Sequence, residues 1–276
     1  MTIEAGKVVR LSERVRRLTA PNPSFMTGPG TNTYIIGDEE LTVIDPGPVI
    51  DSHIEALAAL GNIRHILVTH THPDHSPAAL KLKELTGADL YGNPTKTSDI
   101  CDQTFVADRD LHDGYQVVTA EYSITSVHTP GHAKNHLCYI LDDEKMLFSG
   151  DHIMSGATVV IFPPHGEMDV YMETLRDIKT RDLVSIAPGH GDLMEQPHQV
   201  VDTILAHRMK RESSILKVLQ QQGNKKIKEI VAIEYTETPK ALYEMAARQV
   251  WAHLIKLEKE GRVAGNDLET EWSFVR

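Results

Sequence analysis

The sequence predicts an α/β fold with a smaller helical module at its C-terminal end. Strand-like and helix-like segments alternate between residues 33 and 87, and a second run of strands at 124–148 leads to another helix and strand. After residue 195 the pattern changes to three helices and a hairpin. We therefore predict a layered α/β domain over residues 1–198 and a separate module over residues 199–276.

The first half of the chain supplies strands, a loop and two helices. Residues 8–18 alternate like a strand, whereas residues 21–30 hold too many prolines and glycines for regular structure. Such a loop either shapes a substrate pocket or is a plain surface connection. A hairpin, a short helix, a strand and a second helix, capped by Ser76 and closed by Gly87, follow at 33–44, 52–60, 63–68 and 76–84.

The second half repeats the pattern of strands followed by a helix. We expect strands at 124–127, 137–141, 146–148 and 183–187, with an amphipathic helix at 169–179. Between residues 98 and 115 the signals indicate only loop with some short strand. Helices are expected at 199–222, 227–233 and 241–260, and a hairpin at 263–275; this order resembles a winged-helix module.

Composition and charge are typical of a water-soluble enzyme. The 276 residues carry a net charge of −11, but 13 Lys and Arg stand against 10 Asp and Glu in 207–276, so residues 1–206 carry −14. The acidic part repels polyanions. Two cysteines, Cys101 and Cys138, build no disulfide framework, and no stretch has the apolar length of a membrane helix. A cytoplasmic location is the default expectation, and the sequence does not determine the oligomeric state.

The stretch 69–79 concentrates metal-ligand side chains. His70, His72, Asp74 and His75 follow the apolar run 66–68, and imidazoles and carboxylates are ligands that zinc and its neighbours prefer. The two histidines at 70 and 72 alternate at a strand end, while Asp74 and His75 follow the turn at Pro73 and begin a helix. One short loop cannot easily wrap all four around a single ion, so the spacing predicts two ions.

Three later residues extend this pattern. His132, Asp151 and His190 each follow an apolar or β-prone run and lie at a turn that contains glycine. Each can therefore project from a strand end towards a common rim. With the 69–79 stretch, they predict a two-metal centre.

The ordered set His-x-His-x-Asp-His, His132, Asp151 and His190 resembles the metallo-β-lactamase superfamily of hydrolases, over about residues 10–195. The resemblance implies an αββα sandwich and assigns metal ligands by position. One metal would take His70, His72 and His132, the other Asp74, His75 and His190, and Asp151 would bridge them. Asp45, in the motif at 43–47, would brace the site without binding metal.

Two cations held close together imply a mechanism. A water that bridges them has its pKa lowered towards neutrality, while the ions polarise the scissile carbonyl or phosphoryl oxygen. The resemblance places Asp74 opposite this water, where it can orient it or pass its proton to the leaving group. Zinc is the default metal, and iron or manganese suit the same ligands. Asp151 argues against a true β-lactamase, since members specialised for that reaction lack the bridging carboxylate.

The substrate is less well defined by the sequence. The turn at 30–34, the pair at 207–208 and the C-terminal module resemble the β-lactamase-like protein 2 group, whose animal members are single-strand-specific endoribonucleases. Thioesterases that act on carrier-bound acyl chains, and glyoxalase-II-type enzymes, share the ligands. Cleavage of single-stranded RNA is the first hypothesis, and hydrolysis of a small thioester or lactone is the second. A nucleic-acid or protein binding module with a vestigial metal site is the third.

A few further residues are candidates around the centre. His136 is either a partner that supports a metal ligand or an ordinary strand-end histidine, and His165 lies where it can contact substrate. His207 and Arg208 begin a basic strip over 208–228 that can bind an anionic group. That strip equally fits a solvated helix face that packs the module onto the body.

Overall fold

The computed structural model describes residues 3–94 and 100–275, and the chain divides into two compact units. The first unit comprises Met1–Thr129, Lys134–Val159 and Arg181–His198. The second comprises Pro130–Ala133, Val160–Thr180 and Gln199–Arg276. The division at residue 198 that the sequence suggests stays a prediction as a domain boundary.

The first unit begins with a seven-stranded sheet whose strands lie side by side in chain order. The strands are β1 (Val8–Arg10), β2 (Val15–Thr19), β3 (Asn32–Ile36), β4 (Leu41–Ile44), β5 (Ile63–Leu67), β6 (Asp89–Gly92) and β7 (Arg109–Asp110). Neighbours are antiparallel up to β4 and parallel from β4 to β7. The single strand predicted at 8–18 is wrong, because the Leu11 amide bonds the Val15 carbonyl and turns the chain into a hairpin.

Two helices lie in the same unit. They are α1 (Asp51–Ala58) and α2 (Ala78–Thr86), and Gly87 ends α2 in the left-handed conformation at φ 72°, as predicted. The predicted cap at Ser76 is wrong. Pro77 occupies the N-cap position, and the Ser76 hydroxyl instead donates to Asp102 Oδ2 at 2.8 Å.

A six-stranded sheet completes the first unit. Its strands are β8 (Gln116–Val118), β9 (Ser123–His128), β10 (Leu137–Leu141), β11 (Met146–Gly150), β12 (Ser185–Pro188) and β13 (Met194–Glu195), in the spatial order β13-β12-β11-β10-β9-β8. Only β11 and β12 pair in parallel among these strands. The predicted strands near 124, 137, 146 and 183 are therefore confirmed.

Two apolar clusters hold the first unit together. One joins the facing surfaces of the two sheets through residues such as Tyr34, Leu67, Tyr139 and Phe148. The other covers the opposite face of the first sheet with α1 and α2, where Ile54 and Leu82 are fully buried. Strand β3 is buried on both faces, which explains its continuous apolar and small polar side chains.

The second unit contains α3 (Met168–Thr180), α4 (Pro197–Gln222, whose first two residues belong to the first unit), α5 (Ile227–Glu234) and α6 (Tyr243–Lys259). A short 3-10 helix spans Lys240–Leu242. Strands β14 (Lys225–Lys226), β15 (Val263–Ala264) and β16 (Glu271–Phe274) form a small sheet in the order β14-β16-β15. The predicted three helices and hairpin are confirmed.

Trp272 anchors the core of this module. It is fully buried on β16 and shares a cluster with residues of α4, α5 and α6, including Ile215, Ile230 and Leu254. A Cβ on Gly265 would lie 2.2 Å from the indole ring, so only glycine lets the turn between β15 and β16 pass over it. Within the described ranges, no helix combines the length and apolarity needed to span a bilayer.

Candidate metal centre

Four chain segments of the first unit bring polar side chains to strand ends. Asp45 follows β4, and the 69–75 stretch follows β5; Asp151 follows β11, and His190 follows β12. Within each of these pairs the two strands are parallel, so their carboxyl ends lie at the same edge of the sheet. The topology therefore gathers residues that are far apart in sequence.

Asp45 is a buried hydrogen-bond acceptor at the base of this group. Its backbone has φ 51°, and its carboxylate accepts from the Thr69 amide and the Thr69 hydroxyl, each at 2.7 Å. His75 Nδ1 lies 2.9 Å from Asp45 Oδ2 and donates to it. This bond fixes the imidazole so that Nε2 faces the cluster of Asp74 and Asp151.

Thr69 links Asp45 to a second histidine. Its hydroxyl has one hydrogen, which it donates to the Asp45 carboxylate, so the contact at 3.0 Å from His70 Nδ1 is a donation by the ring. His70 Nε2 is then the nitrogen with the lone pair, and it lies 2.9 Å from His72 Nδ1. Sequence analysis missed Thr69, although it directly precedes the first histidine of the motif.

The central cluster has the spacing of a metal site. His190 Nε2 lies 3.2 Å from Asp74 Oδ2 and 3.3 Å from Asp151 Oδ1, and His75 Nε2 lies 3.5 Å and 3.4 Å from the same atoms. Ligands about 2.1 Å from one ion in tetrahedral geometry are spaced roughly 3.4 Å apart. Asp74, His75 and His190 form one group of donors that can hold an ion, and His70, His75 and Asp151 form another.

The charges in this cluster depend on one another. Burial lowers the pKa of His75, but Asp74, Asp151 and Asp45 outweigh it and raise the pKa well above the usual value. The pKa of His190 is also raised, since Asp151 and Asp74 overcome its burial. Burial favours a neutral Asp74, yet His75 and His190 hold its pKa below the usual range. Carboxylates that stabilise positive charge this strongly fit a divalent cation.

Strand β3 holds the loop that carries His190. The Asn32 side-chain amide donates to the carbonyls of Pro188 and Gly191 at 3.0 and 2.8 Å, and the Tyr34 hydroxyl donates to Pro188 at 2.7 Å. The Gly30 carbonyl accepts from His190 Nδ1 at 3.2 Å. The turn at 30–34 therefore has a positioning role that sequence analysis did not assign to it.

Family comparisons agree with this arrangement. Residues 26–190 match the metallo-beta-lactamase superfamily, and residues 227–272 match the beta-lactamase associated winged helix domain. The chain belongs to the metallo-β-lactamase superfamily. The predicted family and fold class are thus confirmed. The chain is a hydrolase of this superfamily, whose members typically bind two metal ions, and the donor groups described above fit that property.

Relatives within the superfamily cover nearly the whole chain. The chain is 34% identical to a beta-lactamase-like protein 2 homolog of Drosophila melanogaster, over 97% of this chain and 96% of that protein. It is 30% identical to an atrochrysone carboxyl ACP thioesterase of Emericella nidulans, over 95% of this chain and 83% of that protein.

Solved structures share the fold at low identity. A metallo-beta-lactamase family protein from Thermus thermophilus has a TM-score of 0.77 at 20% identity and covers 96% of this chain and 100% of its own. A beta-lactamase domain protein from Burkholderia ambifaria has a TM-score of 0.82 at 20% identity, with coverage of 100% and 95%. At this identity the likeness concerns the fold.

The second unit holds His132 and His165. His132 lies in the segment that follows β9, and its Nδ1 donates to the Val160 carbonyl at 2.7 Å. His165 is half-buried after the cis peptide between Pro163 and Pro164, and its amide bonds the Phe162 carbonyl. The expected place of His132 on the first metal of the superfamily stays a proposal.

His136 packs behind the metal-loop histidines. It is fully buried, its Nδ1 lies 2.9 Å from the Thr129 hydroxyl, and its ring centroid is 4.9 Å from that of His70. A Cβ on Gly150 would lie 2.6 Å from the Thr69 hydroxyl and 2.9 Å from His136 Nε2. Only glycine at 150 therefore permits this packing.

Some cations of the basic strip contact other residues of the second unit. His207 lies at the surface of α4, where partial burial of the ring and the cations at 208, 211 and 210 lower its pKa. Arg208 is only 2% exposed and donates to Gln249. Arg211 bonds the Glu234 carbonyl and stacks on the Tyr235 ring at 4.1 Å. The exposed cations of the strip are Lys210, Lys217 and Lys228.

Proposed function

We propose that the protein is a two-metal hydrolase of acyl bonds, with thioesters as the substrate class. The observation that carries the hydrolase proposal is the donor cluster of Asp74, His75, Asp151 and His190, spaced at 3.2–3.5 Å. The proposed ligands are His70, His72 and His132 for one ion, Asp74, His75 and His190 for the other, and Asp151 shared. Zinc is the proposed metal, and iron and manganese are alternatives because they bind the same types of ligand.

The proposed chemistry divides between the ions and the chain. Two divalent ions, when bound, polarise the scissile carbonyl and lower the pKa of water to near neutrality. Asp74 is the proposed group that accepts the proton of the attacking water and returns it to the departing thiolate. His75 and His190 hold the pKa of Asp74 below its usual range, so its carboxylate is ionised at neutral pH. Solvent is the nucleophile.

An apolar loop supports an acyl substrate. In the 21–30 loop Phe25 is 72% exposed and Met26 46% exposed, although Ser24 Oγ accepts from the amides of Met26 and Thr27 and keeps the loop ordered. The loop ends at Gly30, whose carbonyl accepts from His190. An ordered loop that presents apolar side chains to solvent and reaches the metal cluster suits the binding of an acyl chain.

Charge supports the same choice. Residues 1–206, which supply all of the proposed ligands, carry −14 and repel a phosphodiester polymer. The relative from Emericella nidulans carries the name of a thioesterase that acts on an acyl carrier protein. A neutral thioester avoids the electrostatic cost that RNA would meet.

Endonucleolytic cleavage of single-stranded RNA is the second candidate. The exposed Lys210, Lys217 and Lys228 favour it, because phosphate contacts by lysine supply most of the non-specific affinity for nucleic acid. Against it, Arg208 and Arg211 are engaged within the second unit. The third candidate, a binding module with a vestigial metal site, is disfavoured because the donor cluster is intact.

A paired assay separates these candidates. Zinc-loaded protein is given an acyl thioester, with thiol release followed by absorbance, and an end-labelled single-stranded RNA in parallel. Asp74→Asn tests the site, and Asp51→Asn, a change at an exposed residue of α1 that pairs with Lys81, is the matched control. We expect thiol release by the parent and the control alone. RNA cleavage without thioester hydrolysis would establish the second candidate instead.

A further inference from the structure

The segment that carries His132 is built onto the polypeptide that leads into α3. His132 Nδ1 donates to the Val160 carbonyl at 2.7 Å, and the Gly131 carbonyl accepts from the Glu167 amide at 2.8 Å. The Thr174 hydroxyl donates to the Pro130 carbonyl at 3.1 Å. Residues 160–174 therefore determine where this histidine lies.

Close packing reinforces these bonds. A Cβ on Gly131 would lie 2.4 Å from Tyr171 Cα, so the backbone of this segment rests directly on α3. A Cβ on Gly166 would lie 2.8 Å from the Gly131 carbonyl oxygen. The segment has no room to shift unless residues 160–174 shift as well.

Two helices of the C-terminal module hold residues 160–174 in turn. From α6, the Gln249 amide donates to the Ile161 carbonyl at 3.2 Å. From α4, Arg208 Nη1 donates to Gln249 Oε1 at 3.0 Å, and its guanidinium lies over the Tyr171 ring at 5.3 Å from the centroid. One buried arginine thus connects α3, α4 and α6.

Two further contacts, nearer the surface, also hold residues 160–174 against α6. Lys259 of α6 pairs with Glu167 at 3.1 Å and with Asp169 at 2.8 Å. The Arg248 guanidinium lies over the Phe162 ring at 5.4 Å. The cations of α6 therefore meet the 160–174 stretch at two separate places.

Burying a guanidinium is costly, and simple packing would be served equally well by an apolar side chain. A polar relay instead fixes orientation, because the Gln249 side chain accepts from Arg208 through Oε1 and donates to the Ile161 carbonyl through Nε2. The Val160 carbonyl can only accept, so His132 carries its proton on Nδ1 and presents the lone pair of Nε2. This is the tautomer that a metal ligand needs.

We propose that Arg208 and Gln249 are positioning residues for His132, so that the C-terminal module fixes the orientation of this proposed ligand. The inference rests on the proposed function, in which His132 binds the first ion. The module then has a role in the hydrolase that requires no nucleic acid. It acts by holding the Ile161 carbonyl, next to the Val160 carbonyl that accepts from His132.

Matched variants isolate this relay. Gln249→Glu keeps an acceptor for Arg208 but removes the donor to Ile161, and Arg208→Met removes the cation while keeping much of its apolar length. Arg211→Met is the control, since it makes the same change one turn along α4 at a residue that contacts Glu234 and Tyr235 instead. Thermal unfolding of all three reports whether each variant is folded.

The first readout is the dissociation constant of zinc at each site, measured by competition with a chelator. We expect Gln249→Glu and Arg208→Met to weaken one of the two sites by about tenfold, the lower range for partners that orient a ligand. Arg211→Met should match the parent at both sites. Folded variants that bind both ions as tightly as the parent would overturn the inference and leave the proposed function standing.

The second readout needs no metal and no substrate. In metal-free protein labelled with ¹⁵N-histidine, the parent should show the His132 Nδ1–H tautomer with slow proton exchange. Gln249→Glu should show tautomer exchange at this ring, and Arg211→Met should not. An unchanged signal would contradict the relay, whereas a parent that binds no zinc would overturn the proposed function instead.

Discussion

At the residue scale, the metal cluster depends on side chains whose hydrogen bonds leave only one orientation. Thr69 has a single hydroxyl hydrogen, and its donation to Asp45 forces His70 to donate through Nδ1. Asp45 fixes His75 in the same way. Neither Asp45 nor Thr69 is a proposed ligand, yet between them they orient two ligands.

Thr69→Val should therefore weaken zinc binding with little change in shape. We expect a loss of affinity of about 10–100-fold, because the His70 ring loses the acceptor that holds its tautomer. Chelator competition measures the loss. Thr69→Ser keeps the hydroxyl and serves as the control; if valine bound zinc as tightly as serine, Thr69 would have no orienting role.

His53 lies behind Asp45 and carries its own pH dependence. Its Nε2 donates to the Thr33 hydroxyl at 2.9 Å, and that hydroxyl donates to the Asp45 carbonyl at 2.7 Å. Burial lowers the pKa of His53 to about 4. Since this is below the unfolded value of about 6.5, the unfolded chain binds the extra proton between these pH values.

The contribution of His53 to stability is thus complete above pH 6.5 and declines as the pH falls towards 4. We expect urea unfolding of the metal-free parent to lose up to about 1.4 kcal/mol per pH unit more than His53→Gln across this window. Glutamine keeps a donor for Thr33 but does not titrate. Parallel pH profiles for the two proteins would show that the pKa of His53 is not lowered in the folded protein.

At the element scale, strand β3 is the support for two parts of the centre. Asn32 and Tyr34 point to the His190 loop, and Thr33, between them, points to Asp45. This follows from the two-residue period of a strand, which sends neighbours to opposite faces. One strand buried on both faces thereby holds the backbone at the carboxyl ends of β4 and β12.

Asn32→Ala should destabilise the fold and loosen the His190 loop. The variant loses the bonds to the Pro188 and Gly191 carbonyls and the bond from the Thr19 hydroxyl, at roughly 1 kcal/mol each, while the Tyr34 hydroxyl still donates to Pro188. Tyr34→Phe removes one bond to Pro188, which keeps the Asn32 amide, so it should cost only about 1 kcal/mol. Equal unfolding free energies for both variants in urea would contradict this ranking.

A change at Phe25 in the 21–30 loop should alter substrate binding without altering stability. Phe25→Ala should raise KM for a long-chain acyl thioester by several-fold and for a short-chain one hardly at all, because each buried methylene contributes about 0.8 kcal/mol. Val118→Ala, an equally exposed position at 68%, is the control on β8. A KM that rises equally for both chain lengths would place the acyl chain elsewhere.

At the scale of the whole molecule, metal binding should stabilise the fold. Ions that bind only the native state add about 4 kcal/mol at a thousand times their dissociation constant. Chelation should therefore abolish hydrolysis and lower Tm, and added zinc should restore both. A Tm that ignores the chelator would mean that the donor cluster does not hold ions under those conditions.

The sequence by itself determined the family, the fold class and the candidate ligands. Alternation of strands and helices is a local pattern, and the histidines and aspartates stand directly after strands, where position in the chain predicts position at a sheet edge. The same local rules predicted the helix end at Gly87.

Only the tertiary structure decided which residues support these ligands. Asn32 bonds a carbonyl 156 positions away, and Gln249 bonds one 88 positions away, and no local period encodes such pairs. The same reason explains the error at Ser76, whose hydroxyl bonds the distant Asp102, whereas at 8–18 a local turn interrupts the predicted strand. The charge of Arg208 would suggest an exposed side chain, but the residue is buried. Its guanidinium lies over the Tyr171 ring and donates to Gln249, which offsets part of the cost of burying the charge.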